Sequence, residues 1–259
     1  MKKYLWFFGA LLLAVFVGFN TVKKAQPQKV LGIESKGSAA PVANYPNVVT
    51  FDYQGRQVTA AWYKIDDTFN LSLIANFDQK ENAKDVFEEK ACKFLSSAGF
   101  YTEGAKPTGL FLSEGVTYRN FSANKLTDGI LSVNYFGTPR ITRAVPKDTL
   151  RLAVQTGPIL KENSEYQKLN IAGDEEARRV VAAVTGANEL YFIVFYDKGS
   201  AYNGPSLQSL PEVLKAFEEK ARINFADAVN LDGGTASTFY VKGFSLSELS
   251  PVGAFFCEK

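Results

Sequence analysis

The stretch Leu231-Asp232-Gly233-Gly234-Thr235-Ala236-Ser237 combines residue types suited to a reactive loop. An apolar segment, Ala228 to Leu231, runs into a carboxylate, two glycines and small hydroxylated residues, and a second apolar segment follows at Thr238 to Val241. Paired glycines let the backbone turn with positive φ and let a ligand come close to peptide N–H groups. Asp232 would then stand at a strand end beside donors suited to an anion. The plainer alternative is a hairpin, because Asp-Gly is a common short-turn signal. Three other segments have comparable content. Ser97-Ala98-Gly99-Phe100-Tyr101-Thr102-Glu103 offers a glycine, a phenol and a carboxylate, although Gly99 also suits a helix end. Gln155-Thr156-Gly157-Pro158 reads as a turn after an apolar run. Glu175-Glu176-Ala177-Arg178-Arg179 brings arginine to the start of a strand, where its planar fork can hold phosphate; otherwise it is a solvated loop.

Composition narrows the chemistry. The 259 residues contain no histidine, which excludes Ser-His-Asp and Cys-His catalysis and histidine-bound zinc. Acid–base work falls to Asp, Glu, Tyr, Lys or Cys. With only Cys92 and Cys257, a four-thiolate metal site is impossible and at most one disulfide forms. The 29 basic and 27 acidic residues nearly cancel, and four of the basic ones (Lys2, Lys3, Lys23, Lys24) flank an N-terminal apolar run. Nucleic acid is not an expected partner.

The four segments, in this order, resemble the phosphodiester glycosidase family. The similarity extends from about Leu71 to Val241. Its first motif matches Ser97-Ala98-Gly99-Phe100-Tyr101 followed by Pro107-Thr108-Gly109-Leu110, and its second matches Gln155-Thr156-Gly157-Pro158-Ile159-Leu160. The third matches Arg178-Arg179-Val180-Val181-Ala182, and the last matches Leu231 to Ser237. Ser97 stands where the family has Asn, Thr102 where it often has Asp or His, Ala182 where it has Gly, and Ala236 where it has Ser.

The resemblance implies cleavage between a sugar's anomeric carbon and a phosphodiester, on a cell-surface or extracellular glycan. Such a site needs a cationic clamp, a carboxyl group and an ordered water or nucleophile. It assigns catalysis to Asp232 as general base or electrostatic partner, to Arg178 as phosphate clamp and to Glu103 as second carboxyl. Arg179 is the alternative clamp by register. Gly99, Gln155, Gly157, Gly233 and Gly234 would line the substrate through close approach or backbone donors, and Tyr101 and Ser237 would hydrogen-bond it. Asp232 has a second use, binding a divalent cation such as Ca²⁺ or Mg²⁺. A non-catalytic, membrane-anchored module that binds a phosphate-bearing glycan is the rival reading.

The elements that must position these residues mix strands and helices. Strands are expected at Val48–Tyr53 and Val58–Ile65, joined at Gln54-Gly55, and at Leu71–Phe77, Leu110–Leu112, Ile130–Tyr135 and Leu152–Gln155. Further strands fit Val180–Val184, Tyr191–Phe195, Ala226–Leu231 and Thr238–Val241. Helical spacing predicts helices over Asn82–Ser96 and Leu207–Ala221. The fold class is α+β, a single domain at 48–259 with a mixed, largely antiparallel sheet and flanking helices. Residues 25–47, with three prolines, read as a linker. Residues 1–24 read as a membrane anchor or a signal segment: the apolar run 4–19 follows two lysines, and its small-residue cleavage site is lacking, which favours the anchor. The domain is then expected outside the cell membrane, or secreted if the segment is cleaved.

Overall fold

Gln54 and Gly55 both take positive φ (53° and 79°), the conformation a two-residue hairpin turn demands, and Tyr53 faces Arg56 across it. The computed structural model describes residues 45–102 and 104–259, so the expected anchor at 1–24, most of the 25–47 linker and Glu103 lie outside the described residues. No helix among the described residues is long and apolar enough to cross a membrane.

In chain order the strands begin with β1 (Val48–Tyr53), β2 (Arg56–Lys64) and β3 (Leu71–Ala75), then helix α1 (Ala83–Glu89) and β4 (Phe94–Ser97). Next come β5 (Phe111–Ser113), β6 (Val116–Arg119), β7 (Gly129–Asn134), β8 (Pro139–Thr142), β9 (Leu150–Thr156), β10 (Ile159–Glu162) and β11 (Glu165–Tyr166). The chain continues through β12 (Arg179–Thr185), β13 (Leu190–Asp197), helix α2 (Leu210–Ala221) and β14 (Phe225–Asn230). It closes with β15 (Phe239–Val241), β16 (Phe244–Leu246) and β17 (Ala254–Glu258).

Three sheets result, ordered β1-β2-β13-β12-β14-β10-β11, β16-β15-β4-β17-β3 and β6-β5-β9-β7-β8. Every ladder among the described residues is antiparallel, which corrects the mixed sheet expected from sequence. Each helix crosses over between two strands that run the same way, β3 to β4 and β13 to β14, and an antiparallel strand, β17 or β12, fills the gap between them, so every hydrogen-bonded pair is antiparallel.

The main core draws on all three sheets, with Val180, Ala182, Phe192 and Val194 meeting Phe94, Phe239, Phe256, Leu131 and Leu152. On the opposite face of the first sheet, Val181, Ala183, Ile193 and Phe195 pack against Leu210, Val213, Leu214 and Phe217 of α2. β12 and β13 are therefore buried on both faces, which is why they read as continuous apolar runs.

The helix expected over Asn82–Ser96 is shorter. Ala91 takes φ 54°, and α1 stops at Glu89. Phe94-Leu95-Ser96-Ser97 is instead an interior strand, with Phe94 in the main core and Leu95 under α1. All four residues of this strand are buried, on alternate faces, and a short apolar run of that kind is not separable from a helical stripe by spacing alone.

Cys92, just past α1, is bonded to Cys257 in β17 across 165 residues of sequence. Loop-closure entropy for a span of that size predicts a loss of about 3–5 kcal/mol on reduction. Thermal unfolding with and without dithiothreitol checks this, and an unchanged midpoint would refute it.

Candidate functional site

Strand ends bring the motifs together. Val181 pairs with Asn230, so the start of β12 lies beside the end of β14. The Asp232 N–H donates to Ala98 O at 2.8 Å, which fastens the loop after β14 to the end of β4. The Thr156 hydroxyl at the end of β9 donates to Asn230 O at 2.7 Å. Four elements thus present their motif ends at one place.

Asp232 is the carboxyl at this junction and is buried. Its carbonyl accepts the Ser97 hydroxyl at 2.9 Å. Among the described residues no lysine or arginine forms an ion pair with it. Burial pushes its pKa up to about 8, against the weaker opposing effect of the Gly233 N–H on the carboxylate. Near neutrality the group therefore keeps its proton.

Gly233 has no room for a side chain: an added Cβ would lie 2.9 Å from Arg178 O. Gly99 is equally confined, with Val154 Cγ2 at 2.5 Å and Gln155 O at 3.0 Å from the same atom. Both glycines serve close backbone packing. The Gly234 N–H donates to Arg178 O at 2.8 Å and the Gly233 N–H is directed to Asp232, so both amides expected to meet an anion have internal acceptors.

Arg178 is wholly enclosed. Its Nε donates to Ser237 Oγ at 2.7 Å, Nη1 to Ala201 O at 3.1 Å, and Nη2 to Ser247 O at 2.7 Å and to Ser237 O. Ser237 Oγ in turn donates to Gly234 O at 2.6 Å. Burial lowers the guanidinium pKa to about 10, with Tyr202 and Glu248 opposing, so it remains charged at neutral pH. The expected phosphate clamp is instead a brace for the 232–237 loop, because protein oxygens occupy its fork. Ser237 is enclosed with it.

Arg179 lies alongside Gly233 and is partly exposed, with Cδ 3.6 Å from the place of a Gly233 Cβ. Its Nε donates to Pro205 O at 3.1 Å, and Nη2 reaches Asp174 at 3.4 Å and Glu175 O. Burial lowers its pKa too.

The Tyr101 hydroxyl donates to Pro251 O, and burial together with the charge of Asp232 raises its pKa. Gln155 is buried with both ends of its amide in use: Oε1 accepts from Leu110 N and Ser122 N, and Nε2 donates to Ser122 O and Thr127 O. It is therefore a staple for the 120–127 segment. The Gly157 carbonyl accepts the Asn230 amide at 2.9 Å. Asn230 was not foreseen, although a polar residue inside an apolar strand two positions before Asp232 is a visible signal. Tyr202 and Ser247, which complete the surroundings of Arg178, leave no signal in sequence.

Among the described residues no three carboxylates or thiols converge.

A family model for phosphodiester glycosidase matches residues 90–254. No curated protein matches the chain by sequence. Among solved structures, the fold is similar to the zebrafish N-acetylglucosamine-1-phosphodiester alpha-N-acetylglucosaminidase catalytic domain auto-inhibited by its pro-peptide, with TM-score 0.63, 15% identity and coverage of 85% of this chain and 86% of that one. It is also similar to a hypothetical protein from Synechocystis (TM-score 0.60, 14% identity, 82% and 61% covered). A putative exported protein from Burkholderia pseudomallei K96243 matches at TM-score 0.53 and 10% identity, over 78% and 74% of the two chains. The family match spans more than half of the chain and contains all four motifs that meet around Asp232; the chain belongs to the phosphodiester glycosidase family.

Proposed function

We propose that the chain hydrolyses the bond between a sugar's anomeric carbon and a phosphodiester, with Asp232 as general acid. The observation that carries this reading is the buried, unpaired Asp232 carboxyl at the meeting point of the family motifs, protonated up to about pH 8. As water adds to the anomeric carbon, the C–O bond breaks. Asp232 gives its proton to the departing phosphate oxygen and is reprotonated from solvent. One positioned proton donor and a fixed loop serve a leaving group of this kind. Arg178 acts as a positioning residue by holding Ser237 and Gly234. Arg179, partly exposed and packed beside Gly233, contacts the phosphate in this reading. Tyr101 hydrogen-bonds the substrate, and Glu103 is the candidate for ordering the water.

The domain is placed outside the cytoplasm in this reading. The Cys92–Cys257 bond supports that, because disulfides persist in oxidising compartments.

The test is release of phosphomonoester from a panel of sugar-1-phosphodiesters by the full chain. Activity should hold through neutrality and decline as pH rises through about 8, where Asp232 loses its proton. A rate that instead climbs through that range would make Asp232 the base. No turnover across the panel from folded protein would favour a binding module.

A further inference from the structure

Four of the nine large apolar side chains exposed among the described residues fall between 116 and 126: Val116, Tyr118, Phe121 and Leu126. They occupy edge strand β6 and the segment that leads to β7. Apolar residues at such density on a polar connection require an explanation, since loop tips are ordinarily polar. The segment is also built rather than loose. Buried Gln155 holds Ser122 and Thr127 from beneath, and Asn124 Oδ1 accepts the N–H groups of Leu126 and Thr127.

Its chemistry is specific. Between Gly115 and Thr127 there are two cations, Arg119 and Lys125, and no acidic residue. Neither cation has an ion-pair partner among the described residues. Thr117, Asn120, Ser122 and Asn124 interleave with the rings. Single aromatic faces separated by amides and hydroxyls suit pyranose rings, which have an apolar face and a polar rim. Two unpaired cations suit anionic groups between the sugars.

The patch packs, through buried side chains, onto the elements that carry the candidate site. The rings of Tyr101 and Phe77 close over Gly253, where an added Cβ would be 2.6 and 3.0 Å from them. Phe77 then meets Phe111 edge-on at 5.2 Å, and Phe111 meets Tyr118 at 5.6 Å. A second connection runs from Gly99 through Gln155 to Ser122.

We propose that β6 and the 120–127 segment form an extended subsite that holds further sugar-phosphate units of a polymeric, phosphodiester-linked glycan. This rests on the hydrolase reading above and assigns its substrate class: a polymer rather than a single sugar phosphodiester. Tyr118 and Phe121 stack on sugar rings, while Arg119 and Lys125 face the intervening phosphates.

The test uses the full chain carrying Asp232→Asn, so that ligand is bound without being consumed. Fluorescence anisotropy compares an oligomer of hexosamine units joined through C1 phosphodiesters with a methyl diester of hexosamine 1-phosphate. The oligomer should bind at least about tenfold more tightly, as expected for linked subsites. The Tyr118→Ala/Phe121→Ala pair, and separately Lys125→Ala, should remove most of that advantage. Equal affinity for the two probes, or an advantage that survives these substitutions, overturns the proposal. Turnover of the methyl diester by the unsubstituted chain reports on the hydrolase reading separately, so failure of that reading is distinguishable from failure of the subsite.

Discussion

Asp232→Asn is expected to reduce turnover by about 10³-fold or more and, at the same time, to make the folded chain more stable above neutral pH. The two effects share one cause. An unfolded aspartate loses its proton near pH 4, whereas burial holds the native group protonated up to about 8. Between those values the native state binds a proton that the unfolded state has released. Stability is therefore fully present below pH 4, falls as pH rises toward 8, and levels off beyond it. Asn keeps the oxygen that accepts the Gly233 N–H and has no proton to lose. Its advantage over Asp should grow with pH and reach on the order of a few kcal/mol at pH 8. Urea midpoints of the two proteins at pH 5 and pH 8 measure it. If their difference were the same at both values, Asp232 would not be the strained group described.

That strain was only partly readable in the amino-acid order. Asp232-Gly233-Gly234 announces a turn through its glycines, and apolar neighbours imply burial. Whether a lysine or arginine neutralises the carboxyl is a question of three-dimensional neighbours. The same limit explains Arg178 and Arg179. Either fits the motif spacing, and the Val181–Asn230 register together with the Gly234–Arg178 bond decides that Arg178 turns inward. Gln155 is assigned to the substrate only by its place in the second motif, but its four hydrogen bonds go to segments distant in sequence, around 110, 122 and 127.

Most strands follow from their runs of β-branched and aromatic residues, and α2 from its apolar stripe. The strands without such a signal are short or built from mixed residues. Ile159–Glu162 follows a Gly-Pro turn and contains two charges, and Ala254–Glu258 ends in a cysteine and a glutamate whose burial depends on β3 and β4. Where α1 stops and β4 starts is likewise a tertiary matter, settled by Ala91 and the bond from Cys92.

Arg178→Ala is expected to destabilise the chain by about 3–5 kcal/mol, because it empties a buried volume and strands several acceptors at once. The guanidinium ties three separate stretches together at Ala201, Ser237 and Ser247, and it forms no ion pair with a carboxylate among the described residues. Its stability derives from charge-assisted bonds to carbonyl and hydroxyl oxygens, which offset a desolvation cost large enough to lower its pKa to about 10. Lysine has the charge but not the planar fork, so Arg178→Lys should recover only part of the loss. Because Ser237 passes the constraint on to Gly234, both substitutions should also loosen the loop that holds Asp232. Thermal midpoints should then fall in the order Arg, Lys, Ala. Hydrogen exchange at Gly233 to Ser237 should rise in Arg178→Lys even at temperatures where that variant is fully folded. If Arg178 instead served as an exposed phosphate clamp, Arg178→Ala would leave both the midpoint and the exchange unchanged and would raise only KM.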